Sequence, residues 1–353
     1  MKRIAVIPGD GIGIEVTREA VRALEAAAKV SGRALKIDPY DYGAERYLKT
    51  GETLPPGAME RLKEYDGILL GALGDPRVPD MKHAADILLG LRFGLDLYVN
   101  HRPVRLLDEK LCPLKGRRAS DVDFVIFREN TEGLYVGVGG IFKKGTPDEI
   151  AVQEDINTRK GVERILRHAF EHAVAHRKTR VVMSDKSNVL TYGHDLWQRV
   201  FRLVASEYPG IESRHLYVDA LAMQMVKDPS QFQVIVTCNM FGDILTDLGA
   251  QLQGGLGMAA SGNIHPGRVS LFEPVHGSAP KYAGQNVANP FGAILTAALL
   301  LEHLGHLDET RSIEAAVVAC IRTERTPREL GGRLGTREVG DAVEQEILSP
   351  SLP

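Results

Sequence analysis

Cysteine is scarce in this sequence, which contains three cysteines among 353 residues. Cys112, Cys238 and Cys320 are far apart, and none of them belongs to a CxxC pair. The sequence therefore indicates neither a disulfide framework nor a structural zinc site. An odd number of separated thiols is typical of a reducing compartment, so we expect a soluble cytoplasmic protein.

Long apolar runs are missing as well. The longest, AILTAALLL at residues 293–301, is well short of the ~18 residues that a membrane-spanning helix needs. The first residues reach a glycine-rich turn too soon to form the apolar core of a secretion signal. We therefore expect neither a membrane protein nor a secreted one.

Neither sign of charge dominates the chain. It has 43 Lys and Arg residues against 46 Asp and Glu residues, which gives a formal net charge of −3 at pH 7. The two signs are interspersed and no long basic run occurs, which argues against nucleic acid or an anionic membrane as a partner. We expect the partner to be a small molecule.

Strand-like and helix-like segments alternate along the first part of the chain. KRIAVI runs into PGDGIG and then into a segment with apolar residues three and four apart, which predicts a β-turn-α unit. The pattern continues through ALKIDPY, GAMERLKEY and DGILLGAL, so we predict an α/β fold with helices packed on a sheet. The composition changes from about Leu95 onward, and with 44% hydrophobic residues the chain is long enough for two domains.

The GDGIG turn resembles part of a dinucleotide-binding fingerprint, with Asp38 at the end of the next strand as the ribose ligand. That fingerprint requires G-x-G-x-x-G, because the third glycine permits close packing of helix and strand. Here the glycines are Gly9, Gly11 and Gly13, and Ile14 follows them. The spacing favours a tight turn, with Asp38 solvated at a strand end, over a standard Rossmann domain.

The segment NMFGDILTDL sets Asp243 and Asp247 one helical turn apart among apolar residues. Like charges at this spacing oppose each other by about 0.2–0.5 kcal/mol, so a nearby cation would offset their repulsion. Mg²⁺ and Mn²⁺ prefer such oxygen ligands. Alternatively, Asp243 caps the helix and Asp247 gains from the helix dipole.

Three arginines lie within or beside apolar sequence, where a solvated arginine is less expected. Arg92 and Arg102 flank the segment FGLDLYVNH, and Arg128 precedes ENTEG. Planar guanidinium groups bind carboxylates through paired hydrogen bonds. Each arginine alone could form a structural ion pair, but together they predict a site for an anionic substrate.

Eight motifs together resemble the β-decarboxylating dehydrogenases, the isocitrate/isopropylmalate dehydrogenase family. In chain order they are GDGIG, LDLYVNHRP, RENTEGLYVGVGG, SDKSNVL, VDALAMQMV, NMFGDILTDL, SGNIHPG and EPVHGSAP. The resemblance implies a two-domain isopropylmalate dehydrogenase-like fold rather than a standard Rossmann domain. Residues 1–98 and 250–353 would form a large coenzyme-binding domain and residues 99–249 a smaller dimerisation domain, with the active site in the cleft between them.

The resemblance assigns a metal site and a substrate site. Mg²⁺ or Mn²⁺ would be bound by Asp243 and Asp247 together with Asp219 from the other subunit, so a homodimer with shared sites is implied. The substrate would be a 2-hydroxy diacid whose carboxylates are held by Arg92, Arg102 and Arg128.

The resemblance also implies the chemistry. Lys186, aided by Asp219, would accept the proton of the substrate hydroxyl while hydride passes to the nicotinamide. After CO2 is lost, Tyr135 would protonate the enolate. A non-catalytic regulatory subunit is the alternative from another class, but the side chains that such subunits lose are all present.

The loop EPVHGSAP and the residues after it correspond to the family's adenosine-binding segment. Members that use NAD usually carry Asp-Ile after HGSAP, whereas this chain has Lys281 and Tyr282. An ammonium and a phenol suit a 2′-phosphate, so we favour NADP while NAD stays open. The implied coenzyme-binding residues are Glu273, His276, Gly277, Ser278, Ala279, Lys281, Tyr282 and Asn289.

Leu88 and Leu89 occupy the positions where family members discriminate among diacids. Isopropylmalate enzymes have leucines there, which accept an isopropyl group, and isocitrate enzymes have Ser and Asn. We therefore expect oxidative decarboxylation of 3-isopropylmalate to 4-methyl-2-oxopentanoate, a step of leucine biosynthesis. Tartrate or D-malate is the second expectation, because RENTEG and VQEDINTRKGVERILRHAFE resemble that branch, and homoisocitrate is the third.

Overall fold

The structure, a computed structural model, describes residues 1–350 and is built on β-strands that form one large sheet and one small hairpin. Within these residues the strands are β1 (Lys2–Gly9), β2 (Leu35–Pro39), β3 (Gly67–Ala72), β4 (Val99–Arg105), β5 (Asp123–Glu129), β6 (Gly139–Phe142), β7 (Ile150–Gln153), β8 (Arg180–Asp185), β9 (Glu212–Tyr217), β10 (Val234–Thr237), β11 (Ala260–Ile264) and β12 (Ser270–Pro274).

The large sheet has ten strands in the order β2-β1-β3-β12-β11-β4-β5-β10-β8-β9. Both flanks are parallel, whereas β12, β11, β4 and β5 pair antiparallel in the middle. Because β4 and β5 directly follow β11 in the sheet, the proposed large and small domains share one continuous sheet. The boundaries at residues 98–99 and 249–250 stay a prediction.

Helices cover both faces of this sheet. In residues 1–350 they are α1 (Ile12–Ser31), α2 (Ala44–Thr50), α3 (Ala58–Leu62), α4 (Lys82–Gly94), α5 (Arg159–Ala175), α6 (Gly193–Ser206), α7 (Val218–Lys227), α8 (Asn239–Leu252), α9 (Phe291–His303), α10 (Leu307–Arg322) and α11 (Thr336–Leu348). The α/β fold predicted from the sequence is therefore confirmed.

Side chains of β1 show how the strand pattern builds two cores. Ile4 and Val6 belong to the large apolar cluster under α1 and α9, whereas Ala5 and Ile7 belong to a second cluster with residues of α3 and α4. Alternate residues of a strand point to opposite faces, so a strand buried on both faces is apolar throughout.

The GDGIG turn is tight, as its spacing predicts. Gly11 has φ of +56°, and a Cβ there would lie 2.1 Å from the backbone oxygen of Ser278. Only glycine combines that conformation with so close an approach. Buried Asp10 accepts hydrogen bonds from the backbone N–H groups of Ala44 at 2.7 Å and Gly74 at 2.8 Å, and it joins the loops after β1, β2 and β3.

Asp38 is less solvated than its strand-end position suggested. Its carboxylate accepts a hydrogen bond from the Tyr65 hydroxyl at 2.8 Å, and its side chain is 28% exposed. The expected solvation of this carboxylate is therefore only partial, because the Tyr65 hydroxyl reaches it from a segment distant in sequence.

The three cysteines are free thiols, and two of them, Cys238 and Cys320, are buried. Within residues 1–350, no helix has both the length and the apolar character that a bilayer span requires. The expected lack of a disulfide framework agrees with the free thiols.

Candidate active site

Helix α8 carries the paired aspartates on its solvent-facing side. It begins at Asn239, so Asp243 lies in its second turn and does not cap it. The capping alternative for Asp243 is therefore wrong. Both carboxylates are accessible, with 39% of the Asp243 side chain and 58% of the Asp247 side chain exposed.

Two of the predicted arginines face these aspartates from neighbouring strands. Arg102 of β4 places its guanidinium 3.5 Å from Asp243 and 3.8 Å from Asp247. Arg128 of β5 forms a hydrogen-bonded ion pair with the same Asp243 oxygen. Because β4 and β5 are paired and α8 packs against β5, residues distant in sequence meet here.

The two carboxylates have different electrostatic environments. Burial acts to raise the pKa of Asp243, but the charge of Arg128, a hydrogen bond from Tyr135 and the charge of Arg102 outweigh it and hold this pKa below its ordinary value. Burial raises the pKa of Asp247, and the nearby charge of Asp243 adds to the effect. A bound cation would favour the ionised form of both.

All three arginines are buried, and two of them are incompletely paired. Arg92, Arg102 and Arg128 are 5%, 9% and 2% exposed. Burial lowers the pKa of Arg92, and burial together with the charge of Arg128 lowers the pKa of Arg102 to about 10. Among the described residues, the Nε–H groups of Arg92 and Arg102 have no hydrogen-bond partner. Buried cations with unused donors favour an anionic ligand.

Tyr135 joins this cluster from a short 3₁₀ turn, Leu134–Val136. Its hydroxyl donates a hydrogen bond to Asp243 Oδ2 at 2.8 Å, and the Arg128 guanidinium lies 5.0 Å from its ring centroid. Burial, followed by the hydrogen bond to Asp243, raises the pKa of Tyr135. The phenol is therefore protonated at neutral pH and can act as an acid.

Leu88 and Leu89 lie on α4 ahead of Arg92, at helix positions four and three residues earlier. Residues at these spacings share a helix face. Leu88 packs partly against the second apolar cluster, and both leucines keep part of their surface accessible. The helix thus presents apolar surface beside a buried guanidinium.

Lys186 and Asp219 form a separate pair. Lys186 follows β8, Asp219 lies in the first turn of α7, and the ammonium donates to the carboxylate at 2.6 Å. This hydrogen bond lowers the pKa of Asp219, whose side chain is 63% exposed. Within residues 1–350, no three His, Cys, Asp or Glu side chains are grouped closely enough to hold a metal ion, so Asp219 does not join Asp243 and Asp247 in one chain.

The predicted coenzyme loop after β12 packs on the GDGIG turn. The backbone oxygen of Ser278 accepts a hydrogen bond from Ile12 N–H at 2.8 Å, and Ser278 is 8% exposed. The Nε2 atom of His276 is buried without a partner in the described chain, and burial lowers the pKa of this imidazole. An unused ring nitrogen beside an exposed glycine, Gly277, suits a ligand with hydrogen-bonding groups.

Other predicted coenzyme residues surround this loop. Ala279 has a left-handed φ of +37°, and the Lys281 ammonium lies 4.6 Å from the ring centroid of Tyr282, both residues being exposed. Asn289 is buried and accepts a hydrogen bond from Phe291 N–H at 3.1 Å at the start of α9. Its side chain therefore has a structural bond, whereas Lys281 and Tyr282 are free to meet a ligand.

Asn239 is a further residue of this site, and no sequence pattern indicated it. This buried residue accepts a hydrogen bond from Arg128 Nε at 2.9 Å and donates to the backbone oxygen of Glu132 at 2.9 Å. It therefore links the arginine to the segment that leads to Tyr135. The sequence signal was an asparagine four residues before Asp243, which by itself looks like a helix cap.

A cavity of about 700 Å³ lies on the opposite face of β4 and β5 from the arginines. It is lined by His101 of β4, by His172 of α5 and by His176, which directly follows α5. His101 precedes Arg102 directly, so the two side chains point to opposite faces of the sheet. The cavity is thus separate from the candidate active site.

Comparisons with known proteins agree with this geometry. A model of the isocitrate/isopropylmalate dehydrogenase family matches residues 3–343. The chain is 48% identical over 347 residues to the 3-isopropylmalate dehydrogenase of Thermobifida fusca (strain YX), and the match covers 98% of this chain and 97% of that protein. It is 47% identical over 349 residues to the 3-isopropylmalate dehydrogenase of Frankia casuarinae, covering 96% of this chain and 100% of that protein.

Solved structures give the same result. The isocitrate dehydrogenase from Methylococcus capsulatus superposes with a TM-score of 0.90 at 36% identity, covering 99% of this chain and 100% of that one. The TT0538 protein from Thermus thermophilus gives 0.86 at 37% identity, covering 99% of this chain and 68% of that one. The chain therefore belongs to the isocitrate/isopropylmalate dehydrogenase family of decarboxylating dehydrogenases.

Proposed function

We propose that this protein catalyses the metal-dependent oxidative decarboxylation of 3-isopropylmalate to 4-methyl-2-oxopentanoate and CO2, with reduction of a nicotinamide coenzyme. The observation that carries the proposal is the placement of buried Arg102 and Arg128 against Asp243, with buried Arg92 on the apolar face of α4. Arg92 and Arg102 each keep an unused Nε–H donor. Curated relatives named 3-isopropylmalate dehydrogenases support the choice of substrate.

Leu88 and Leu89 favour a diacid with an apolar branch. In a site where they face the substrate, an isopropyl group would lose contact with water, which contributes about 1–3 kcal/mol to discrimination. The third carboxylate of isocitrate would instead meet apolar surface and lose its hydration without a new partner. This favours 3-isopropylmalate over the substrate named for the Methylococcus capsulatus structure.

Asp243 and Asp247 would hold Mg²⁺ or Mn²⁺, and the donor set fits such an ion. Both groups offer hard oxygen atoms from one helix face. Burial, together with the charge of Asp243, raises the pKa of Asp247 in the free chain, and a bound cation would offset this effect. When bound, the cation supplies Lewis-acid stabilisation of negative charge on substrate oxygen atoms. Arg102 would then orient a substrate carboxylate beside it.

Tyr135 and the Lys186–Asp219 pair would carry the proton transfers. Lys186, as the neutral amine, would accept the proton from the substrate hydroxyl as hydride leaves the adjacent carbon for the nicotinamide, and Asp219 would stabilise the ammonium that forms. Tyr135, a protonated phenol held by Asp243, would donate a proton to the carbon atom from which CO2 departs. Buried Arg128 and Arg92 would hold the carboxylates and keep the substrate in place.

We propose a homodimer in which each active site is completed by the other protomer. Asp219 is not grouped with Asp243 and Asp247 in one chain, and Lys186 lies within 2.6 Å of Asp219. Whichever site receives Asp219 therefore receives Lys186 too. Exposed apolar side chains on neighbouring helices and on the β6–β7 hairpin suit an interface between copies, namely Met223, Val226, Ile244 and Phe142.

For the coenzyme we propose NADP in preference to NAD. The exposed ammonium of Lys281 beside the phenol of Tyr282 supports a 2′-phosphate ligand, because phosphate is bound by cationic donors. His276 and the backbone of the loop would contact the adenosine. Free thiols at all three cysteines support our assignment of the enzyme to the cytoplasm.

The decisive experiment compares kcat/KM for 3-isopropylmalate, D-malate, tartrate and homoisocitrate, each with NAD and NADP in the presence of Mg²⁺ or Mn²⁺. We expect the highest value for 3-isopropylmalate, and we expect chelation with EDTA to abolish turnover until metal is restored. A value for D-malate ten-fold or more above that for 3-isopropylmalate would overturn the substrate assignment.

A further inference from the structure

A chain of buried amides crosses the sheet between the substrate arginines and the coenzyme loop. Asn263 of β11 lies at its centre, and its Oδ1 accepts hydrogen bonds from Asn100 Nδ2 at 3.1 Å and Asn130 Nδ2 at 2.9 Å. Its Nδ2 donates to Glu273 Oε1 at 2.8 Å. The three asparagines are at most 1% exposed, so water does not substitute for these bonds.

The direction of this chain is fixed by its donors. Two amide N–H groups point at Asn263 Oδ1, and the amide of Asn130 is itself held by the backbone oxygen of Leu97 at 2.8 Å. If the side-chain amide of Asn263 were flipped, its Nδ2–H groups would lie against the N–H groups of Asn100 and Asn130. The Nδ2 group of Asn263 must therefore point to Glu273. The asparagine therefore presents one N–H group to one carboxylate oxygen.

Some polar atoms of this network lack hydrogen-bond partners, so the network lowers the stability of the fold. In residues 1–350, the Oδ1 atoms of Asn100 and Asn130 are buried without a hydrogen-bond partner. Buried polar groups without partners destabilise a fold, and apolar residues of similar shape would pack here at lower cost. Such a cost is typical of residues retained for a site.

Glu273 connects the two ligand sites. Its Oε1 atom, the one held by Asn263, lies 4.0 Å from Nη2 of Arg92, and Glu273 stands directly before the loop that carries His276 and Ser278. Arg92 is buried, and the charge of Glu273 is the first favourable influence on its ionisation. Displacing this carboxylate would alter both the substrate arginine and the entry to the coenzyme loop.

We propose that Asn263 is a positioning residue that couples substrate binding at Arg92 to coenzyme binding at the loop, by holding Glu273 between them. The inference rests on the proposed function, since it assigns a diacid to Arg92 and a nicotinamide coenzyme to the loop. Because coupling between two sites is reciprocal, it is measurable from either ligand.

The test measures the Kd of NADPH by its fluorescence, with and without saturating 3-isopropylmalate and Mg²⁺, in the intact enzyme. Reduced coenzyme and a hydroxy diacid cannot react together, so both Kd values are true equilibria. The ratio of interest is the larger of these two Kd values divided by the smaller, and in the wild-type enzyme we expect it to be about five or more.

The Asn263→Asp variant keeps an acceptor for Asn100 and Asn130 but sets a carboxylate oxygen against Glu273. We expect its ratio of Kd values to fall close to one.

Thr310→Val is the matched control, because it removes a buried side-chain hydrogen bond to Ala298 O on α9, away from Glu273. It should lower Tm without changing the ratio. If Asn263→Asp does not fold, Glu273→Gln provides the second variant, and it should also bring the ratio close to one.

Two results would overturn the coupling role: a wild-type ratio of one, or an unchanged ratio in the folded variant. Wild-type turnover of 3-isopropylmalate together with either result would reject the role of Asn263 alone. A lack of turnover with every diacid would instead reject the proposed function.

Discussion

Leu88 stands one helical turn before Arg92 on α4, so an apolar side chain and a buried guanidinium share one helix face. In our account this face recognises the apolar branch and a carboxylate of the same substrate. Any small shift of α4 would therefore affect both contacts together.

Replacing both leucines tests this specificity. For Leu88→Ser combined with Leu89→Ser, we expect kcat/KM for 3-isopropylmalate to fall about 10–200-fold, as the loss of apolar contact costs about 1–3 kcal/mol. The value for D-malate, which has no branch, should change much less. Leu348→Ser on α11, also at a partly exposed leucine, is the control. Equal losses for both substrates would contradict a specificity role.

Tyr135→Phe tests the proposed acid. The variant keeps the ring beside Arg128 but removes the hydroxyl that donates to Asp243. We expect kcat to fall about 10²–10⁴-fold, the usual contribution of a positioned acid or base, while KM for the diacid changes little. Tyr192→Phe removes a hydroxyl from a 92% exposed tyrosine and should have wild-type kinetics. A kcat within a few-fold of wild type would exclude Tyr135 as the acid.

Lys281→Asp tests the coenzyme assignment. A carboxylate in place of the ammonium would repel a 2′-phosphate and accept hydrogen bonds from ribose hydroxyls. We expect the ratio of kcat/KM with NADP to that with NAD to fall about ten-fold or more. Lys115→Asp makes the same change of charge at an exposed position outside the coenzyme loop and should leave the ratio alone. Unchanged preference in Lys281→Asp would remove the argument for NADP.

Two histidines of α5 that contact Phe127 of β5 predict acid sensitivity. Burial and the neighbouring imidazoles of His176 and His168 lower the pKa of His172 to about 3, and burial lowers that of His168 to about 4. Their folded pKa values lie below the ordinary value of about 6.5, so the stability they contribute is present above pH 6.5 and is lost as pH falls below it.

His172→Phe should reduce that acid sensitivity, because phenylalanine keeps the ring contact with Phe127 but takes up no proton. Between pH 7.5 and pH 5.0, the free energy of unfolding should fall by about 2 kcal/mol less in the variant than in the wild type. Urea unfolding at several pH values measures this difference. Above pH 7.5 the free energies of unfolding of the two proteins should change with pH in parallel. If they also change in parallel down to pH 5.0, His172 is not the source of the acid sensitivity.

Local features of the site could be predicted from the sequence. Asp243 and Asp247 share a helix face because the 3.6-residue period of one segment decides it. The burial of Arg92, Arg102 and Arg128 was indicated by their apolar neighbours. The alternation of strands and helices could likewise be predicted, because each element follows from the apolar pattern of its own few residues.

Contacts across the sheet could not be predicted in this way. Asn263 meets Asn100, which is 163 residues away in sequence, only because β11 pairs antiparallel with β4. Strand register depends on packing of the whole sheet rather than on the strand's own residues. For the same reason no local pattern indicated that the ring centroids of His172 and His101 would lie 5.6 Å apart.

The shared active site is the central claim, and complementation between two inactive variants tests it most directly. In a mixed dimer of Lys186→Ala and Asp243→Asn protomers, one site would combine the intact Asp243 of the first with the intact Lys186 of the second. Random pairing makes half of the dimers mixed, so we predict recovery of about a quarter of wild-type kcat after the two variants are unfolded and refolded together. Activity no higher than that of the separate variants would show that Lys186 acts within its own chain and would contradict the account.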